Sequence, residues 1–101
     1  MSSTLSNPQK RYLRSLAHDL KAIIMVGAKG VTASLLAELE LALEQHELVK
    51  VKVAAEDRET RDAWIGELAE KSEAALVSRI GHTAVLYRRS KDKPLVILPR
   101  G

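Results

Sequence analysis

Val49, Val51 and Val53 alternate with Lys50 and Lys52. That period of two commits the stretch to a β-strand with one apolar face and one wetter face. Ile23-Ile24-Met25-Val26 is a short continuous apolar run that stops at Gly27, which reads as a strand buried on both faces. Leu76 to Ile80 and Thr83 to Arg88 are two further β-rich runs parted by Gly81-His82. Glycine first in a two-residue loop suits a type II′ hairpin.

Helical periodicity fills the intervals. A first helix begins near Ser6 or Asn7: Pro8 suits its first turn, Ser6 and Gln9 have capping-box spacing, and Leu13, Leu16, Ala17 and Leu20 form its buried stripe. Lys10 and Arg14 share a face one turn apart, with Arg11 beside them. A second helix runs from an N-cap at Thr32 to about His46, with Leu35, Leu39, Ala42 and Leu43 inward and Glu38, Glu40 and Glu44 toward solvent. The third opens around Asp57, and its stripe is Trp64, Ile65, Leu68 and Ala69. The order is α-β-α-β-α-β-β. Two right-handed crossovers followed by a hairpin predict one α/β domain over residues 1–101, with a mixed four-stranded sheet packed with helices. Its core spans about residues 5–89 and its tail residues 90–101.

Composition removes several classes of function. The chain has no cysteine, hence no disulfide, thiolate metal site or cysteine nucleophile. No apolar run approaches the roughly 18 residues of a membrane span, and the N-terminus carries no signal-peptide pattern. A cytoplasmic domain without membrane association is the expectation. His18, His46 and His82 lack metal-site spacing and belong to no recognisable triad or acid-base pair, so no metal, cofactor or catalytic residue is assigned.

Charge is segregated along the chain. Residues 1–31 hold five bases against one acid, residues 32–73 eleven acids against five bases, and residues 74–101 six bases against one acid. If the two ends meet in space, the bases of the first helix join Arg79, Arg88 and Arg89 of the last strands on one positive face that steers a polyanion. Solvated faces produce the same pattern, and charge alone does not separate the two readings.

The segment Val26-Gly27-Ala28-Lys29-Gly30-Val31-Thr32 lies between a strand end and a helix start. Two glycines three apart let backbone amides approach an anion, the helix N-terminus adds free N–H groups, and Lys29 adds a cation at the tip. These are the parts of a phosphate clamp. Walker and dinucleotide fingerprints both fail on spacing, whereas clamps of the KH type hold RNA backbone with a Gly-x-x-Gly loop. With Tyr12, Trp64 and Tyr87 as the only aromatics, the chain cannot build the stacking platform of an RRM or OB fold, which leaves backbone gripping. His82, in the hairpin turn, either touches RNA or is simply exposed.

Leu16-Ala17-His18-Asp19-Leu20-Lys21, the Val26–Thr32 loop and Glu44-Gln45-His46-Glu47-Leu48-Val49-Lys50-Val51-Lys52 together resemble the CRM domain (chloroplast RNA splicing and ribosome maturation), and most of all its stand-alone bacterial YhbY-like form. Glu56 to Thr60, Ile80 to Thr83 and Val85 to Arg88 extend the resemblance over nearly the whole chain. It implies a fold similar to the C-terminal domain of translation initiation factor 3. It also implies RNA binding through Gly27, Ala28, Lys29 and Gly30, with a basic surface formed by Lys10, Arg11, Arg14 and Lys21. The implied partners are ribosomal RNA in precursors of the large subunit, and ribosomal proteins. Two readings from the residues stand beside it: a protein-interaction module using the acidic middle and the apolar Leu95-Val96-Ile97-Leu98 run, and a small phosphate-binding enzyme.

Overall fold

The computed structural model describes residues 5–89; the Leu95–Leu98 run and the bases beyond Arg89 lie outside them. Three helices and four strands follow in the predicted order: α1 (Asn7–Ala17), β1 (Ile24–Val26), α2 (Ala33–His46), β2 (Leu48–Val53), α3 (Arg58–Ser72), β3 (Ala75–Ile80) and β4 (Thr83–Tyr87). The strands form one sheet in the order β1-β2-β4-β3. β1 is parallel to β2, and β4 is antiparallel to both β2 and β3. α2 therefore crosses from β1 to its neighbour, while α3 crosses from β2 to β3 and leaves the place between them for β4.

Local chemistry sets the element boundaries. Ser6 Oγ accepts from the Gln9 amide at 3.2 Å and Gln9 Oε1 accepts from the Ser6 amide at 3.0 Å, so the capping box of α1 is complete. Thr32 Oγ1 accepts from the Leu35 amide at the start of α2. Asp57 Oδ2 accepts from the Thr60 amide and hydroxyl at the start of α3. Those bonds, the amide first, hold the Asp57 carboxyl below its ordinary range. Ile80 pairs with Thr83, and Gly81 takes φ 58° in the two-residue turn between them, where a glycine is needed. α2 ends without glycine: Glu47, fully buried, takes φ 61° and hands the chain directly to Leu48. Its amide donates to the Leu43 carbonyl, and its carbonyl accepts from the Arg88 amide.

The sheet is covered on both faces, unequally. Ile24, Val26, Val49, Val51, Val53, Ala84 and Leu86 bury with Leu35, Leu39, Leu43, Ile65 and Leu68 of α2 and α3. On the other face, Leu13 and Ala17 of α1 bury with Leu48, Val77, Val85 and Tyr87. Two expectations need correction. β1 is not buried on both sides: it is an edge strand, α1 packs chiefly against β2 and β3, and Ile23 and Met25 are exposed. The buried stripe of α1 is also shorter than its periodicity implies. The helix stops at Ala17, where the His18 amide caps it by donating to the Arg14 and Ser15 carbonyls, and Leu16 and Leu20 stay exposed.

Tyr87 is the largest side chain of the α1 core, and its hydroxyl finds no hydrogen-bond partner among the described residues. Burial, with the Glu47 charge beside it, raises its phenol above the ordinary tyrosine value. The folded chain thus holds this proton to higher pH than the unfolded chain. Stability is complete below the unfolded value of about 10 and declines as pH rises from there through the folded value. Tyr87→Phe should abolish that decline while changing stability at neutral pH by no more than about 1 kcal/mol. Urea unfolding of both proteins at neutral and strongly alkaline pH measures the difference.

Candidate nucleic-acid interface

The chain turns as soon as β1 ends at Val26. The Gly30 amide closes the turn by donating to the Gly27 carbonyl at 3.0 Å. The two glycines are needed to different degrees. Gly30 is buried at φ 73°, and a β-carbon there would stand 3.0 Å from Cε2 and Cζ2 of Trp64, so both the backbone angle and the ring demand glycine. Gly27 has no positive φ, and no atom of the described residues lies within 4 Å of where its β-carbon would be. The loop is thus anchored at one end on α3 and open at the other. Ala28 and Lys29, both exposed, form its tip. Thr32 then starts α2, with the amide groups of that helix's first turn behind the loop. The shallow cleft around it is also lined by Met25, Ser34 and Glu38.

Backbone bonds draw two more segments to this end of the sheet. The Ala54 amide donates to the Val26 carbonyl, and the Val53 amide donates to the His82 carbonyl. His82 in the hairpin turn is exposed, and its Nε2 stands 2.8 Å from Nη1 of Arg61. A guanidinium only donates, so this contact makes Nε2 the acceptor and puts the ring proton of neutral His82 on Nδ1.

The remaining candidates divide between the two faces. Arg14 lines a groove between α1 and the sheet together with His18, Lys50, Ser78, Ile80 and Thr83. Arg11 is exposed and Lys10 half-buried on the same helix. Lys21 borders a second, apolar groove with Leu16, Leu20 and Ile23. Arg79 and Arg88 do not join these bases on one positive face, contrary to the expectation from charge segregation. A bulge between Leu76 and Ser78 sets Arg79 opposite Ala84 on the helix-covered face, where it pairs with Asp62 of α3. Arg88 donates to Glu40 Oε2 at 2.6 Å, to Glu44 Oε1 at 3.1 Å and to the Ser72 carbonyl at 2.8 Å. Both cations hold acidic helices to strands. Arg89 is exposed just beyond the Tyr87 end of β4, at the end of the sheet opposite the glycine loop.

Trp64, which helical spacing marks as a plain core residue, has a second task. It is half-buried against the core and also supports Gly30. Its spacing shows that it faces inward, but not which loop it meets. Arg61 gives no local signal at all, because its partner lies 21 residues away.

The family profile described as the CRS1 / YhbY (CRM) domain matches residues 5–88. The chain belongs to that family. As a CRM domain it is 48% identical over 98 residues to a Haemophilus influenzae protein named "RNA-binding protein", covering 97% of this chain and 98% of that one. It is 40% identical over 95 residues to the Bacillus subtilis "Probable RNA-binding protein YqeI", covering 94% and 99%. The solution structure of the hypothetical protein SAV1595 from Staphylococcus aureus superposes with a TM-score of 0.82 at 35% identity, over 95% of this CRM domain and all of that chain. The mixed α/β fold is therefore shared.

The inequality of the two glycines yields a stability test. Gly30→Ala should cost about 1–3 kcal/mol, from the left-handed backbone and the crowding against Trp64. Gly27→Ala should lie within about 0.5 kcal/mol of the parent. Thermal melts of the two variants decide it.

Proposed function

We propose that this CRM domain binds RNA by its phosphate backbone through the Gly27–Gly30 loop, without catalysing a reaction on it. The observation that carries the reading is the exposed Ala28-Lys29 tip, set by Gly30 on Trp64 in front of the first turn of α2. An exposed lysine beside the N-terminus of a helix is an arrangement that suits a phosphate anion. The names of the relatives as RNA-binding proteins support the same reading. Lys10, Arg11, Arg14 and Lys21 extend the grip along α1 and the segment that follows it, and His82 flanks the loop from the hairpin. Arg79 and Arg88 are assigned to holding the helices, and Arg89 to the margin of the surface.

Within the cell the proposed ligand is ribosomal RNA in a precursor of the large subunit, met in the cytoplasm, with neighbouring ribosomal proteins as secondary contacts. A small domain that grips backbone without reading sequence fits a task in which the shape of the RNA selects the site.

Lys29→Ala should weaken binding to RNAs of different sequence alike. On single strands it should flatten the log-log salt dependence by about 0.7 for each phosphate it no longer neutralises. Gly27→Asp should weaken binding further without lowering the melting temperature, because the position has room for a side chain but the added charge opposes phosphate. Arg88→Ala should do the reverse, lowering stability and leaving the salt slope unchanged. Fluorescence titrations at several salt concentrations, run beside thermal melts, separate these effects. Unchanged affinity and slope in a folded Gly27→Asp variant reduce the loop to a simple turn.

A further inference from the structure

α1 covers only one end of the sheet face on which it packs. At the other end the strand register lines up Met25, Lys52, Thr83 and Ile80 in a single row across all four strands. Their neighbours Val26, Val53 and Ala84 bury toward α2 and α3, so alternation turns the row to the opposite side. Ile80 is 79% exposed and Met25 61%, the two most exposed large apolar side chains among the described residues. The groove that separates this row from α1 has a volume of about 400 Å³, and among the described residues no acidic side chain lines it. Lys50 stands in the groove with its ammonium on the Leu20 carbonyl at 3.3 Å. Met25 also borders the cleft around the glycine loop, so the open face is continuous with it.

We propose that this open half-sheet is a docking site for the bases of unpaired RNA whose backbone the Gly27–Gly30 loop holds. The inference rests on the proposed RNA-binding role and narrows its ligand to single-stranded segments. A duplex keeps its bases stacked inside, whereas an unpaired strand presents flat, largely apolar faces. Met25 and Ile80 offer apolar surface to those faces, and Thr83 offers a hydroxyl. Arg14, Lys50 and Lys52 supply positive charge between them for the phosphates that must follow. Such aliphatic surfaces read no particular base, in keeping with a loop that reads none.

The test compares an unstructured RNA of about 12 nucleotides with a duplex of the same length. Both are titrated against the parent chain, Lys29→Ala, and a variant carrying Met25→Ser and Ile80→Ser. The two serines replace exposed side chains, so the variant's melting temperature should match the parent's. Its affinity for the single strand should fall about tenfold because less apolar surface is buried against the bases. Its salt slope should stay as it is, since every cation that meets phosphate is retained. Its affinity for the duplex should not change. In the parent, the methyl resonances of Met25 and Ile80 should shift with the single strand and stay in place with the duplex.

If the serine variant binds the single strand like the parent and the methyls do not move, while Lys29→Ala weakens binding, the half-sheet is not a base site and the loop reading stands. An equal loss on duplex and single strand also overturns the proposal. If the serine variant weakens binding and Lys29→Ala does not, the half-sheet is supported and the loop reading falls. A parent chain that binds neither RNA removes both.

Discussion

Burial of Val49, Val51 and Val53 at 0–1% exposure is the constraint on which the other elements depend. β2 is paired on both sides, parallel to β1 and antiparallel to β4, and its valines face α2 and α3 in the main core. A strand repeats every two residues, so sealing these three side chains leaves no choice for the residues between them. Leu48 goes under α1, and Lys50 and Lys52 go to the part of the sheet that α1 leaves bare. The basic character of the open face is thus a by-product of the register that closes the core.

The same partition accounts for where the charge ends up. α2 and α3 carry most of the acids, and on their side of the sheet Arg79 and Arg88 are engaged by Asp62, Glu40 and Glu44. Isolated exposed ion pairs contribute little. Arg88 is better placed: its side chain is only 17% exposed and it joins two carboxylates and a backbone carbonyl at once. On the α1 side, Arg14, Lys50 and Lys52 meet no such partners among the ion pairs of the described residues. The polarity expected from segment charges is therefore present, but drawn between the two faces of the sheet instead of between the middle of the chain and its ends.

Most locally determined features were legible in the sequence, the length of the α1 stripe being the exception. The alternation of β2, the caps at Ser6 and Thr32, the opening of α3 around Asp57 and the glycine-first hairpin all depend on neighbours within four residues, and each stands where the pattern put it. The glycine loop was legible as a strand-to-helix turn for the same reason. Features set by long-range packing were not. The exposure of Met25 follows from β1 lying at the sheet edge, and the engagement of Arg88 follows from an acidic helix more than forty residues earlier in the chain. The split between the glycines is of this kind too, since Gly30 is constrained by a ring on α3 and Gly27 by nothing nearby.

The joint at Glu47 has a bearing on how chains of this fold can vary in length. α2 ends at His46 and β2 begins at Leu48, with a single residue at positive φ between them. One residue gained or lost there would rotate every β2 side chain to the opposite face, sending the lysines inward and the valines to water. The helix and strand are geared together without slack. An insertion at the hairpin tip merely lengthens a loop. At this joint the α2–β2 unit can change only by substitution or by whole two-residue steps.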